Sequence, residues 1–568
     1  MPLERDDSIG LATLNSSYSH LALSLRYLRE SARRAGFGRV WLAEYTTRTP
    51  LWKIADDLLR RSPRLLGFSI YIWNREPTLA LVELLKKQRP ELLVVAGGPE
   101  VSFGEQPGPA PALPNVDYLI AGEGEEKWKE LLLLARQGRE PDPETLRRWA
   151  THGEQLPALE HSPFAQEDYD DPELKNRLVY LETSRGCPYS CAFCLSSRDK
   201  RVRYFPADLV REDISRLLQA GVRRIKFLDR TFNLGPERFL EWLRWLAGFP
   251  GAAFHFEVVS HLLDEKTLAW LKQAPRGMFQ FEVGIQSVHE DTGRLISRKG
   301  GPGQYESLER LLEADRVHIH ADLIWGLPEE SPEDIRSSFE RVLALRPHEL
   351  QLGFLKFLPG APIRSDAERH DYVFSARPPY EVISHRRLSA SQVLELKRME
   401  EVFDLYYNSG HFRFTLARLL EIFPPWEFFR ALADHFAAEG LLIPSHGLES
   451  LLEILADWLD GYGTDRLQRN ELLDLLRLDY CHHRRVRRLP ELLKLAGAHP
   501  PAAVRERRKS GPDVFVAGFT HEITLSGRTA VLTPAPEPVW YEFRYPDGEQ
   551  GYFFRPRLVP LHPIRDEP

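Results

Sequence analysis

The sequence predicts a mixed α/β chain: an N-terminal doubly wound parallel sheet, then an open (β/α)6 barrel, then a mostly helical part ending in a small antiparallel β element. Three observations predict it. Apolar runs of strand length alternate with helical patterns over roughly the first two thirds. That alternation breaks once, in a polar, proline-bearing stretch at 143–172. From about residue 375, amphipathic helical segments replace it. At 568 residues the chain has room for several cores.

In residues 1–142, GLATL (10–14), VWLAEY (40–45), LLGFSIYI (65–72), LLVVA (92–96) and YLIA (118–121) read as strands. Leu21, Leu25, Leu28 and Ala32 recur at helical spacing between the first two, as do Leu51, Ile54 and Leu58 between the next two. Strands that are apolar throughout and alternate with helices form a parallel sheet covered on both faces, a Rossmann-like arrangement. Such sheets bind ligands at the carboxyl ends of their strands. Ser69, Gly97, Gly98, Gly122 and Glu123 fall at those ends. Glycines there let a ligand approach the backbone, but they also simply make βα turns, and the residues alone do not choose. Residues 143–172 lack periodicity and read as a linker.

The alternation resumes over 173–374, with LVYLE (178–182), RIKFL (224–228), FHFEVV (254–259), MFQFEV (278–283), HIHADLI (318–324) and LQLGFLKF (350–357). Six such βα units fit an open, partial TIM barrel, whose chemistry sits at the carboxyl ends of its strands. The loop after the first of these strands, TSRGCPYSCAFC (183–194), holds three of the chain's four cysteines, Cys187, Cys191 and Cys194. Thiolates at C-x3-C-x2-C spacing read as metal ligands. Iron–sulfur clusters normally take four, so a local set of three leaves one iron of a cubane open, the mark of a catalytic metal site. A three-Cys zinc site is the alternative; it would ask for a nearby histidine, and the first one downstream is His255.

CPYSCAFC after an apolar strand resembles the signature of the radical S-adenosylmethionine (SAM) superfamily. The resemblance implies a 4Fe-4S cluster on Cys187, Cys191 and Cys194, with SAM chelating the open iron and cleaved to a 5'-deoxyadenosyl radical. It implies that Phe193 lies against the adenine, and that the electron comes from a donor such as flavodoxin or ferredoxin. GFSIYIWN, VVAGGPEVSF and YLIAGEGEE, ahead of that core, resemble the cobalamin-binding domain of cobalamin-dependent members. Ser69, Gly97, Gly98, Gly122 and Glu123 are then the expected cobalamin contacts. No D-x-H-x-x-G string occurs, so a bound cobalamin is expected to lack a histidine on its lower cobalt face, and His20 reads as a helix-start residue.

At the other strand ends of the barrel, the candidates for SAM are Asp229, Glu257, Gln286 and Asp322. Asp229, in LDRTFN, stands where the superfamily often has Gly-Gly-Glu, and is the candidate substitute. Asp322 lies in HADLIWGLPEES, which resembles the family's Asp-Leu-Ile-x-Gly-Leu-Pro-Gly-Glu, with Glu329 in place of the second glycine and Glu330 keeping the acid. A carboxylate or amide inside a barrel needs a partner. SAM's ammonium and ribose hydroxyls would serve. So would a core arginine such as Arg223 or Arg298, and Glu282 stands under the same two readings.

The C-terminal part, 375–568, closes with VFVAGFT (514–520), VWYEFRY (539–545) and GYFF (551–554), the last two joined through Pro546-Asp547-Gly548 as a hairpin. Its YYNSG segment resembles a domain of uncharacterised role attached to some cobalamin-type members. Cys481, in DYCHHRRVRRLP, reads as a small buried hydrophobe rather than a ligand. The formal charge of −7 gives no bulk reason to expect nucleic acid or an anionic membrane as partner. No apolar run approaches the roughly 20 residues of a membrane span. Clustered rather than paired cysteines fit a reducing compartment, and the charged start lacks a signal-peptide core, so a cytoplasmic location is expected. The resemblance implies an enzyme that methylates an unactivated carbon of a small-molecule or peptide substrate. Cyclisation or ring rearrangement, with or without bound cobalamin, stays open, as does a non-catalytic cofactor-binding or sensing role. Methylthiotransfer would call for further upstream cysteines, and the first 186 residues contain none.

Overall fold

The structure is a computed structural model of the chain. It describes residues 3–561 apart from 5, 104–112, 154–155, 299–300, 314, 463–468, 496–512, 527 and 546–556. The first sheet is wholly parallel, in the order β2-β1-β3-β4-β5, with β1 (Ile9–Asn15), β2 (Val40–Thr46), β3 (Leu65–Ser69), β4 (Leu93–Gly97) and β5 (Tyr118–Ile120). Every residue of β1 and β3 is buried, because helices cover both faces. On one face α1 (Leu23–Arg34) and α4 (Glu125–Arg136) pack Leu25, Ala32, Trp128 and Leu131 against Leu11 and Leu65. On the other, α2 (Leu51–Arg60) and α3 (Arg75–Gln88) pack Ile54, Leu58, Leu81 and Leu85 against Leu14 and Leu66. The chain runs from β1 to β2 on one side and then crosses back past β1 to β3 on the other. The crevice at the carboxyl ends of β1 and β3 is therefore the topological switch point, where open α/β sheets take ligands.

Two local readings needed correction. The run 65–72 stays a strand only to Ser69, because the buried Asn74 amide donates to the backbone oxygens of Ser69 (3.1 Å) and Leu14 (3.0 Å) and turns the chain. The stretch 143–172 is more than a connector. Its α5 (Pro143–Trp149) fully buries Trp149, whose Nε1 donates to Glu130 at 2.8 Å. Its α6 (Gln166–Tyr169) sinks Asp168 between Arg26 and Arg29 of α1. Leu159 and Phe164 add apolar anchors to Trp149 and Asp168, and these scattered positions leave no periodicity to read.

The second sheet is also wholly parallel, in the order β13-β12-β11-β10-β9-β6. Its strands are β6 (Val179–Leu181), β9 (Arg224–Phe227), β10 (Ala253–Val258), β11 (Phe279–Gln286), β12 (His318–Trp325) and β13 (Glu349–Phe354). A short antiparallel ribbon, β7 (Ser184–Arg185) with β8 (Arg203–Tyr204), closes the base of the cysteine loop. The intervening helices are α7 (Ala207–Gln219), α8 (Pro236–Leu246), α9 (Glu265–Leu271), α10 (Glu290–Leu295), α11 (Gly301–Glu313) and α12 (Pro332–Ala344). These strands alternate in character. Phe254, Phe256, Phe279, Phe281, Ile319 and Ala321 join the core under the helices. Lys226, His255, Glu257, Glu282, His320 and Asp322, one residue out of phase and side by side in register, line the inside. Ordinary barrels fill that space with apolar layers. A polar lumen needs internal ion pairs or a ligand to match it.

Beyond β13 come α13 (Pro362–Ser365), the pair β14 (Val373–Phe374) and β15 (Val382–Ser384), and the helices α14 (Ala390–Phe403), α15 (Arg413–Ile422), α16 (Pro425–Ala438), α17 (Leu448–Tyr462) and α18 (Arg469–His483). The core runs on into them: Phe339 of α12 meets Phe403 at 5.4 Å and Trp426 at 5.7 Å between ring centroids. The YYNSG segment closes the free edge of β13. Asn408 accepts from Leu350 N and donates to Leu350 O, both at 2.9 Å, while Tyr407 donates to Pro347 O at 2.6 Å. A side-chain amide thus stands in for the missing neighbouring strand. Cys481 is fully buried in α18. The long hairpin of β16 (Val514–Ser526) and β17 (Thr529–Arg544) adds β18 (Arg557–Leu561). The expected strand at 551–554 and its Pro546-Asp547-Gly548 turn lie outside the described residues. Among the described residues, no helix is long and apolar enough to cross a membrane.

Candidate functional site

Cys187 and Cys191 are buried, Cys194 is half-buried, and none is in a disulfide. Their loop is braced from three directions: Cys187 N donates to Asp199 O, Ala192 N to Ile296 O, and Ile363 N to Ala192 O, each at 2.9 Å. Gly186, at φ +94°, passes so close to the returning chain that a Cβ would stand 2.2 Å from Arg201 O. Burial pushes the Cys187 and Cys191 thiols up, and Arg298, with Nη1 at 3.6 Å from Cys191 Sγ, pulls the latter back. Among the described residues, no three His, Cys, Asp or Glu side chains converge on one ion position. A cubane cluster does not ask for that, because its thiolates ligate different irons.

Asp229, the expected SAM contact, clamps the cysteine loop. Only 1% exposed, it accepts from Thr183 N (2.8 Å), Thr183 Oγ1 (2.5 Å) and Ser184 Oγ (2.6 Å). Glu282 takes the ion-pair reading, but with partners other than those expected. Lys226 Nζ and His255 Nε2 both lie 2.9 Å from its Oε2. Burial works against its charge, but His255 and Lys226 outweigh it and hold the carboxyl well below its usual range. Among the described residues, Arg223 donates to backbone oxygens of Leu218 and Val222.

The remaining SAM candidates keep unmatched groups. Gln286 sits at a β-bulge with a left-handed φ of +67°. Its Oε1, Asp322 Oδ1 and Arg298 Nε are buried without a hydrogen-bond partner among the described residues. Gly284 links the three: it is in register with Asp322, and its carbonyl accepts from Arg298. His320 Nε2 comes within 3.3 Å of Asp322 Oδ1 without bonding to it. Burial, then the neighbouring Glu282 and Glu257, push the Asp322 carboxyl well above its usual range. Glu257 is raised by burial too, and its nearest cation is Arg230 at 3.8 Å. Phe193 packs half-buried against the barrel core. Arg298 is the residue that sequence reasoning placed only as a core cation.

Glu330, which keeps the acid of the Asp322 motif, accepts from Ser287 Oγ at 2.6 Å, and burial pushes its carboxyl up to about 7 from 4.5. Between those two pH values the folded chain keeps a proton that the unfolded chain releases. Stability therefore falls as pH rises through the window, then levels off. Glu330→Gln is expected to remove that decline, up to about 3 kcal/mol, while keeping the serine bond. Thermal unfolding midpoints of both proteins across the window check it.

A cavity of about 800 Å³ lies between the two sheets. Ser69, Gly97, Gly98, Gly122 and Glu123 all line it, and across from them stand Tyr180, Lys226, Arg230 and Glu257 of the barrel, with Leu195 and Ser196 of the cysteine loop. Two of the expected cobalamin contacts have another reason to be there. Gly98, at φ +103°, would bring a Cβ within 2.5 Å of Ile70 O, so the turn itself demands glycine. The Glu123 carboxylate is taken by Arg185, at 2.8 Å, and by Arg203 across the domain boundary. His20 also bridges the boundary. It lies ahead of α1, pairs as an isolated bridge with Leu178, stacks on Tyr180 at 5.8 Å and hydrogen-bonds to its hydroxyl. Burial lowers its pKa.

Family models match three successive segments: the B12 binding domain over residues 10–132, the radical SAM superfamily over 181–342, and a protein family of unknown function, DUF4080, over 368–506. The chain is 30% identical over 332 residues to the 2-(S-pantetheinyl)-carbapenam-3-carboxylate methyltransferase of Streptantibioticus cattleyicolor, covering 53% of this chain and 48% of that one. It is 29% identical over 352 residues to the cobalamin-dependent radical SAM methyltransferase TokK of Streptomyces tokunonensis, covering 57% and 51%. The chain thus spans about half the length of these curated relatives. The structure of the cobalamin-dependent SAM radical enzyme OxsB with aqua-cobalamin bound shares the fold, with a TM-score of 0.57 at 14% identity, over 84% of this chain and 79% of that one. The cofactors that go with these domains are a 4Fe-4S cluster, SAM and cobalamin, and the residues present fit them: three thiols in one braced loop, orphaned polar atoms on Gln286, Asp322 and Arg298, and a cavity at the switch point. The chain thus carries a B12-binding domain, then a radical SAM domain, then a C-terminal domain of unknown function.

Proposed function

We propose that the chain methylates an unactivated carbon of a small-molecule or peptide substrate held in the cavity between its two parallel sheets. The observation that carries this is the shared cavity, onto which the carboxyl ends of both sheets open beside the cysteine loop. Residues 1–142 would form the cobalamin domain, 143–172 the connection, 173–374 the radical SAM core and 375–568 the accessory part. Cys187, Cys191 and Cys194 would hold the cluster. Phe193, Glu257, Gln286, Asp322 and Arg298 would hold SAM, and Ser69, Gly97, Gly98 and Gly122 would line the cobalamin crevice. When bound, these groups supply one-electron hydrogen abstraction and a methyl carrier.

The chain's own residues do the rest. Asp322, its carboxyl pushed up by burial and by the neighbouring Glu282 and Glu257, presents an unmatched oxygen to a ligand. Gln286 is aimed by its bulge, and Glu123 with Arg185 holds the two domains in register. Both relatives named above are methyltransferases by description, which supports the reading. An electron donor of the flavodoxin or ferredoxin type and a cytoplasmic setting go with it. Anaerobic reconstitution with iron, sulfide and hydroxocobalamin tests it. About four irons together with roughly stoichiometric cobalt per chain are expected after desalting. Iron without retained cobalt would overturn methylation and leave a radical SAM enzyme whose first domain binds something else.

A further inference from the structure

We infer that residues 198–204 form the docking surface for the electron donor, an acidic one-electron carrier protein such as a flavodoxin. The inference rests on the cluster proposed at Cys187, Cys191 and Cys194. In a chain of formal charge −7, this segment turns Arg198, Lys200 and Arg201 to solvent within seven residues of Cys194. Its lone carboxylate, Asp199, is half-buried and bonds back to Arg201, while Arg203 is turned inward to Glu123. Tyr204 lies 46% exposed at the end of the run, and exposed tyrosine beside arginine is a residue pairing enriched at protein interfaces.

Position adds the second argument. The backbone of this surface touches the proposed cluster's first ligand: Asp199 O accepts from Cys187 N at 2.9 Å, and Arg201 O packs onto Gly186. An electron delivered here crosses one hydrogen bond to reach the ligand's own backbone. The other side of the loop faces the cavity through Leu195 and Ser196, where cofactor and substrate belong. A protein donor therefore has to come from outside, where the basic segment lies. Complementary charge speeds such encounters at low ionic strength and loses its effect as salt rises. In the transfer, the flavin hydroquinone gives up one electron and becomes the semiquinone, and the oxidised cluster gains one; no bond is made or broken.

The test compares the reconstituted full chain with its K200E/R201E variant by stopped-flow absorbance, using reduced flavodoxin and, separately, dithionite. A charge-matched K87E/R60E variant, altered on two well-exposed side chains of α3 and α2, controls for net charge. Expected is a fall of about tenfold or more in the flavodoxin rate at low salt, absent at high salt. The dithionite rate, iron content and K87E/R60E should be unchanged. A flavodoxin rate within twofold of wild type, or an equal slowing in K87E/R60E, overturns the docking surface. Should charge reversal lower the iron content, K200Q/R201Q carries the same comparison. A wild-type chain that takes up no iron, or is not bleached by dithionite, marks failure of the cluster reading itself.

Discussion

Asp229→Ala is expected to leave the barrel folded and strip the chain of most of its capacity to assemble iron. Alanine would leave Thr183 N, Thr183 Oγ1 and Ser184 Oγ without their shared acceptor in a site the protein fully encloses. Each unpaired buried donor costs about 1–3 kcal/mol. The cost falls on the base of the loop, just ahead of Cys187. Arg238, which donates to Thr183 Oγ1, would also lose the charge it faces. Iron and sulfide per chain after reconstitution, measured beside a thermal melt, check it. Normal iron incorporation combined with weakened SAM binding would show instead that Asp229 is a ligand contact, as its place at the end of a barrel strand first suggested.

Asp168→Ala is expected to destabilise the folded chain by about 3–5 kcal/mol, the usual cost of removing one partner from a buried ion pair. The Asp168 side chain is 5% exposed and faces Arg26 Nε at 3.1 Å and the Arg29 guanidinium. Arg26 keeps Glu44 at 2.7 Å, but Arg29 would be left with the more exposed Glu30 and Glu167 as counter-charges, beside its bond to Pro163 O. Burial alone would raise the Asp168 carboxyl; Arg29 and Arg26 outweigh it and hold it below its usual 3.8. For a depressed carboxylate, the stabilisation is complete at neutral pH and is lost as pH falls below about 4. The variant should therefore unfold earlier at neutral pH and converge on wild type in acid. Urea unfolding followed at both pH values measures it, and a difference under about 1 kcal/mol at neutral pH would mean the pair behaves like a surface one.

Both sheets were legible because burial writes itself into strands. β1 and β3 are buried on both faces and read as unbroken apolar runs, while β10 and β11 of the barrel alternate phenylalanine under the helices with polar and charged residues on the inside. The cysteine loop was legible too, since its ligands lie within eight residues. The strap at 143–172 was not, because isolated anchors such as Trp149, Leu159, Phe164 and Asp168, with no periodicity between them, hold it.

Composition and spacing by themselves determined the fold class, the order of the parts and the three thiols. What each charged residue does was decided by the tertiary structure alone. Asp229 and Glu123 sit where the sequence expects ligand contacts, yet their partners lie 46 and 62 residues away in the chain. Glu282 meets Lys226 across 56 residues and not the arginines that the sequence offered. A strand end tells that a carboxylate will face the cavity. Whether it meets a ligand or another side chain depends on which distant segment folds against it, because a buried charge takes whichever counter-charge the packing brings within reach.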